Sequence, residues 1–298
     1  MIIGILKEPS FETRVSLLAE SSAALIKKGN KIIVESGAGE KSFNSNLEYE
    51  KIGAEIKSRT EVLEQAEILL SIHPLLDDDF SKINSKILLG VHQPLSNGEN
   101  VIKSIERKLT TFSLDMLPRT TRAQAMDVLS SQANIAGYKA VLLAANSYGR
   151  YFPMFMTAAG SIAPAKMLIL GAGVAGLQAI ATAKRLGAVV EVFDTRPAVK
   201  EEVMSLGAKF IEVEGAADAS KAGGYAVEQS KDYQDKQQQK IAESAAKADI
   251  IITTAQIPGR KAPVLISEDT VKAMKPGSVI VDMAVEQGGN CPRSEERR

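Results

Sequence analysis

The sequence predicts an α/β protein of two domains, each a parallel sheet with helices on both faces. Three observations carry that reading. The chain has 298 residues, enough for two domains with separate cores. Strand-like and helix-like segments alternate along it twice over. In the second half, an apolar strand-like run leads at once into closely spaced glycines and an apolar helix.

The elements follow in order. Residues 1–6, Met-Ile-Ile-Gly-Ile-Leu, read as a strand, and 17–28 as a helix with Ser16 as a candidate N-cap and Gly29 at its end. A strand over 31–35, a helix over 61–66, strands over 67–72 and 86–91, a helix over 99–108 and a strand over 110–114 complete the first half. A long helix is expected over about 123–147, followed by the irregular apolar segment 151–157. The boundary is placed along this helix, which gives an N-terminal domain over 1–122, a linking helix over 123–150 and a second domain over 151–298. Strands over 166–170, 189–193, 208–213, 249–254 and 278–282 supply five of the six strands of a doubly wound nucleotide-binding sheet. Between them, 214–240 is polar, with Gly223-Gly224-Tyr225 and then many Lys and Gln residues. It is long for a connection and reads as a mobile loop entering a charged helix, or as a partly disordered one.

Composition narrows the function classes. Lys plus Arg and Asp plus Glu each number 36, so the formal charge is zero and nothing favours attachment to nucleic acid or anionic lipid by bulk electrostatics. The single cysteine, Cys291, excludes an internal disulfide and a multi-cysteine metal cage, and suits a reducing compartment; no metal site is expected. The apolar start lacks the basic region of a signal peptide. The most membrane-like stretch, 167–183, falls short of a bilayer span of about 20 residues and contains Gly171, Gly173, Gly176 and Gln178.

The strongest motif is Gly171-Ala172-Gly173-Val174-Ala175-Gly176, set between a strand and the helix expected over 177–186. Gly171 allows the tight turn, Gly173 lets a pyrophosphate approach the backbone, and Gly176 lets helix and strand pack closely. The phosphates would rest on N–H groups at the helix N-terminus. Asp194 ends the next strand, 18 residues beyond Gly176, where a carboxylate accepts bonds from an adenosine ribose and repels a 2′-phosphate. That favours NAD over NADP, although Arg196, beside Thr195, pulls the other way. The bland alternative is a tight strand-to-helix turn without a ligand.

A second constellation runs from Arg119 through Thr121, Gln124 and Asp127 to Ser130. Taken alone, Thr121 and Gln124 fit a helix capping box, and Arg119 with Asp127 a solvated surface pair. The two histidines, His73 and His92, each end a predicted strand, where a catalytic base and a structural hydrogen-bonder are both reasonable readings.

Residues 119–137, 152–160 and above all 171–187 resemble the NAD(H)-binding components of proton-translocating NAD(P) transhydrogenases, in the alanine dehydrogenase and transhydrogenase superfamily. The likeness runs from Lys7-Glu8-Pro9 to Gly288-Gly289-Asn290-Cys291-Pro292. It implies two Rossmann-like domains joined by the long helix, the second binding NAD(H). It also implies that Arg119, Gln124, Asp127 and Ser130 form a loop beside the nicotinamide, that Tyr225 sits on a mobile loop over the nucleotide, and that Asp194 holds the ribose. Gly171, Gly173, Val174, Ala175, Gly176, Thr195 and Arg196 then complete the cofactor site. Gln229 falls where relatives have a methionine.

By the same resemblance the chain is a homodimer, cytoplasmic and peripheral to the inner membrane. It works beside membrane-spanning subunits and a subunit that binds NADP(H), and passes hydride from NADH to NADP⁺. Such a transfer moves no proton at the reacting carbons, which accounts for the lack of an evident acid or base. Two other readings stay open. One is an NAD-dependent, alanine-type dehydrogenase using His92 or His73. Arg14 matches that family's carboxylate-binding arginine, but its catalytic lysine falls on Ile72 and its histidine nearest Gln93. The other is a truncated NAD-binding module without catalysis. Relatives continue past the segment ending at Pro292, whereas here only 293–298 follow, so the last strand and a return helix are expected to be missing.

Overall fold

The computed structural model describes residues 1–118, 120–213, 215, 230–257 and 259–292. It divides into two units, Met1–Val128 and Leu129–Arg298.

In the first unit, six parallel strands run in the order β3-β2-β1-β4-β5-β6: β1 (Ile2–Ile5), β2 (Lys31–Glu35), β3 (Glu55–Lys57), β4 (Ile68–Ser71), β5 (Ile87–Gly90) and β6 (Thr110–Ser113). The connecting helices are α1 (Ala19–Lys27), α2 (Asn46–Lys51), α3 (Arg59–Gln65), α4 (Asp77–Phe80) and α5 (Gly98–Glu106). Successive side chains of a strand point to opposite faces. Ile3, Ile5, Ile32 and Val34 therefore join Ala19 and Tyr49 in one core layer, while Ile33, Leu69 and Leu88 join Val62, Leu63 and Phe80 in the other. Gly4 lets α3 lie directly on β1, since a Cβ there would meet Val62 Cγ1 at 2.7 Å and Ala66 Cβ at 2.8 Å.

Local chemistry sets several boundaries differently from the sequence reading. Ser16 does not cap α1: the helix begins after Leu18, without a side-chain cap from that residue, and Asn44 Oδ1 accepts the Ala19 N–H at 2.9 Å instead. The short elements α2, β3 and α4 have no counterpart in the sequence reading. Helices α2 and α3 each open on a capping box, Ser45 with Glu48 and Ser58 with Glu61, which satisfies N–H groups that a helix start leaves without partners.

Helix α6 (Val128–Ser147) starts at the last residue of the first unit and otherwise belongs to the second; a short turn of 3₁₀ helix over Gln124–Met126 precedes it. The capping box expected from Thr121 and Gln124 does not start this turn, because its cap is Ala123, with no side-chain hydrogen bond. The apolar segment expected to be irregular holds part of an antiparallel hairpin of β7 (Phe155–Thr157) and β8 (Gly160–Ile162). Then follow β9 (Lys166–Leu170), α7 (Val174–Arg185), β10 (Val189–Phe193), α8 (Lys200–Ser205), β11 (Lys209–Phe210), α9 (Lys231–Ala245), β12 (Ile250–Thr253), α10 (Glu268–Ala273) and β13 (Val279–Asp282). The sheet order is β11-β10-β9-β12-β13, all parallel.

The sheet is again doubly wound. Met167, Ile169, Val190, Val192, Ile250 and Ile252 share a core with residues of α6 and α7; Leu168, Leu170 and Ile251 share one with Ile241 and Ala245 of α9. Gly137 admits the close approach of α6 to the start of α7, since a Cβ there would stand 2.1 Å from Ala175 O.

Candidate nucleotide-binding site

The sheet order reverses between β10 and β12, on either side of β9. In open parallel sheets that reversal opens a crevice at the carboxyl ends of the strands, where ligands bind. The loop after β9 is the glycine turn. Gly171 has φ +106, a region costly for a residue with a side chain, and a Cβ there would meet Thr254 Oγ1 at 2.5 Å. A Cβ on Gly176 would stand 1.9 Å from Gly171 O, so only glycine fits. At Gly173 a Cβ would meet nothing within 4 Å, which leaves the room a phosphate needs. Gly173 is the N-cap of α7 and provides no side-chain cap. Val174 and Ala175 begin the helix, whose first N–H groups lack partners in the turn before them. The positive end of the helix dipole and open space over Gly173 together fit a pyrophosphate.

Asp194 follows the end of β10 and is 9% exposed. It ties the glycine turn to β10, because its Oδ2 accepts the Ala172 N–H at 2.7 Å. The remaining bonds come from Arg196: its backbone N–H and Nε both donate to Oδ1 at 2.8 Å, and Nη2 donates to Oδ2 at 2.7 Å. Hydrogen bonding to Asp194, against the opposing cost of burial, raises the pKa of the Arg196 guanidinium. Thr195 lies between them, half-buried. The arginine read as weakening the preference for NAD is thus committed to the carboxylate that creates the preference.

Of the second constellation, Gln124 is exposed in the 3₁₀ turn, Asp127 is half-buried immediately before α6, and Ser130 is half-buried in its first turn. Arg119 and Tyr225 lie outside the described residues, as does most of the stretch expected to form a loop; its end forms α9.

The first unit gathers a different cluster. Glu12 accepts from Arg14 Nε at 2.8 Å and Nη2 at 2.6 Å, and its Oε2 stands 2.8 Å from His73 Nε2. The Arg14 hydrogen bonds hold the Glu12 carboxyl far below the usual carboxylate range. Glu8 accepts the N–H groups of Ile72 and His73, yet burial pushes its carboxyl up. His92 is buried, its Nε2 has no hydrogen-bond partner, and burial pulls its pKa down. Sequence reading missed Glu8 and Glu12 because nothing in their spacing marks them as partners of residues some 60 positions away. It also missed Thr254 and Asp282, whose one visible signal is a polar residue at or just beyond a strand end, and Asn290, which has no such signal.

Among the described residues no group of three or more His, Cys, Asp or Glu side chains is arranged to hold a metal, and no helix is long and apolar enough to cross a membrane.

The sheet order, the glycine turn and the acidic residue after β10 define an α/β protein with the dinucleotide-binding fold. The family model for the alanine dehydrogenase/PNT N-terminal domain matches residues 4–136, and that for the C-terminal domain matches 140–297. The chain belongs to the alanine dehydrogenase/PNT family. It is 46% identical over 293 residues to the first part of the NAD(P) transhydrogenase alpha subunit of Rhodospirillum rubrum, a match spanning 95% of this chain and 76% of that protein. The crystal structure of transhydrogenase from Sinorhizobium meliloti superposes with a TM-score of 0.89 at 46% identity, covering 99% of this chain and 81% of that one. Alanine dehydrogenase of Mycolicibacterium smegmatis is more distant, 29% identical over 295 residues, or 97% of this chain and 74% of that protein.

Proposed function

We propose that this chain is the NAD(H)-binding component of a proton-translocating NAD(P) transhydrogenase, passing hydride from NADH to NADP⁺ held on a partner subunit. The observation that carries the reading is the 46% identity to a transhydrogenase alpha subunit across 95% of the chain, against 29% to an alanine dehydrogenase. The first unit agrees. An alanine-type dehydrogenase needs a cation for its substrate carboxylate and an acid or base for the proton. Here Arg14 is gripped by Glu12, and the position expected for the lysine is the aliphatic Ile72.

In this reading the uncapped start of α7 and the space over Gly173 receive the pyrophosphate, and Asp194 the adenosine ribose. Arg119, Gln124, Asp127 and Ser130 stand beside the nicotinamide, and Tyr225 closes over the nucleotide. The reaction asks these residues to position the ring and exclude water, since no proton moves at the reacting carbons. The chain acts as a homodimer, peripheral to the membrane and bound there through its membrane-spanning partner subunits. The test is to mix folded protein with NADH, NADP⁺ and the NADP(H)-binding component of a related transhydrogenase. Partner-dependent NADPH formation is expected. Alanine-dependent NADH formation without a partner would show the dehydrogenase reading to be right, and NADH binding with no transfer under either condition would leave a binding module.

A further inference from the structure

The second unit contains a buried polar assembly beyond the glycine turn and Asp194. Strand β13 ends at Asp282, whose carboxylate accepts four hydrogen bonds: from Thr253 Oγ1 at the end of β12 (2.9 Å), and from the N–H groups of Ala284 (2.9 Å), Asn290 (2.8 Å) and Cys291 (3.0 Å). The chain doubles back through Gly288 and Gly289, both at positive φ, which brings Asn290 under the loop that leaves β12. Asn290 is fully buried. Its Nδ2 donates to Ala255 O at 2.9 Å and Pro263 O at 2.8 Å, and its Oδ1 accepts the Ala255 N–H at 3.1 Å. One carboxamide therefore grips both polar groups of Ala255, a backbone position outside any helix or strand.

That position matters because of the sheet order. The crevice opens between the loop after β9 and the loop after β12, and the second of these begins at Thr254 and Ala255. Thr254 Oγ1 also donates to Gly171 O at 3.1 Å, so the two loops are tied together. In a sheet of this order β9, β10 and β11 form the first mononucleotide-binding half. β12 opens the second half, which takes the other end of a dinucleotide.

We infer that Asn290 is a positioning residue for the nicotinamide half of the bound dinucleotide, acting through the Ala255 main chain at the lip of the crevice, with Asp282 holding Asn290 in place. The inference rests on the NAD(H) reading above and assigns a part of that site outside the glycine turn. An asparagine that merely stabilised the fold would affect both halves of the nucleotide alike. One that sets the lip beside β12 affects the nicotinamide half selectively.

The experiment compares affinities for NADH and for AMP, which carries the adenine half alone, in the full chain and two variants. Asn290→Asp turns an amide that donates to two carbonyls into an oxygen that repels them. It should weaken NADH binding by about tenfold or more while leaving AMP within about twofold. Ala255→Gly removes one part-buried methyl group, leaves every hydrogen bond of Asn290 in place, and loosens the gripped peptide. It should weaken NADH by about two- to fivefold with AMP unchanged, and it decides the matter if the Asn290 variant does not fold. Equal weakening of NADH and AMP, or unchanged NADH affinity in a folded variant, would overturn the inference. Unmodified chain that binds AMP but not NADH, or neither, overturns the NAD(H) reading and the inference with it.

Discussion

Replacing Arg196 by methionine should tighten NADH binding, although the arginine stands beside the ribose carboxylate. A carboxylate offers about four lone-pair directions. In Asp194 all four are taken, one by Ala172 N–H and three by Arg196. Ribose hydroxyls that bond to this carboxylate must displace part of the arginine fork. The two side chains are 18% and 6% exposed, so solvent screens the pair only modestly. Opening it costs about 1–2 kcal/mol net. A site competent only when opened binds more weakly in proportion to its open fraction. Arg196→Met keeps an apolar stem and removes the fork, so NADH affinity should rise by about 5- to 30-fold. NADPH should gain nothing, because its 2′-phosphate would then face an uncompensated Asp194. The assay is a titration that follows nicotinamide fluorescence, clean here because the chain has no tryptophan. Unchanged or weaker NADH binding would refute the displacement argument and mean that arginine and ribose share the carboxylate.

Three further outcomes follow from the same contacts. Gly176→Ala drives a Cβ to 1.9 Å from Gly171 O, backbone that cannot move cheaply; it should cost about 1–3 kcal/mol in stability and abolish NADH binding, read by urea unfolding and titration, and retained affinity would show that the turn can shift. Tyr49→Phe removes a hydroxyl that donates to Leu17 O at 2.7 Å and is pushed up to about 12 by burial; the orphaned carbonyl should lower stability by about 1–3 kcal/mol, and a loss under about 0.5 kcal/mol would mean that water replaces the hydroxyl. His92 is held below its ordinary 6.5 by burial, so as pH falls through that value the unfolded chain takes the proton first and stability declines. His92→Leu should flatten the fall in Tm between about pH 7 and pH 5 and leave partner-dependent hydride transfer intact; lost transfer would restore an acid-base role.

The elements that place the glycine turn were legible because their signals are local and redundant. After Lys166 the strand is apolar through Leu170, and Gly171 and Gly176 sit where a side chain would collide with neighbouring atoms. Even so, α7 begins at Val174 rather than at 177, because the motif's own residues form its first turn. Elements with weak local signals were lost: α2 and β3 are short and largely polar, and only the Ser45 to Glu48 spacing marked a helix start. Local rules also misled. Ser16 has the chemistry of an N-cap, but Asn44 satisfies the Ala19 N–H, a tertiary contact that no spacing along α1 could disclose. At the candidate site, Asp194 was legible from its distance to Gly176, whereas its grip by Arg196 depends on a rotamer. Asn290 was illegible for a related reason, since a carboxamide buried at a chain reversal has no period.

Two carboxylates at the carboxyl ends of the second sheet, Asp194 and Asp282, share one property: each accepts at least two main-chain N–H groups as well as side-chain donors. Asp194 holds the turn after β9 and the backbone of Arg196; Asp282 holds the ends of β12 and β13 and the reversal that places Asn290. A carboxylate whose lone-pair directions are all committed in this way has none left to take a proton from a substrate. A dehydrogenase acting on an amino or hydroxy acid would want the opposite, a group poised to gain and lose a proton within reach of the nicotinamide. Hydride exchange between two nicotinamides wants what this sheet provides, anions and amides that hold two loops at a fixed separation while the ring itself carries the chemistry.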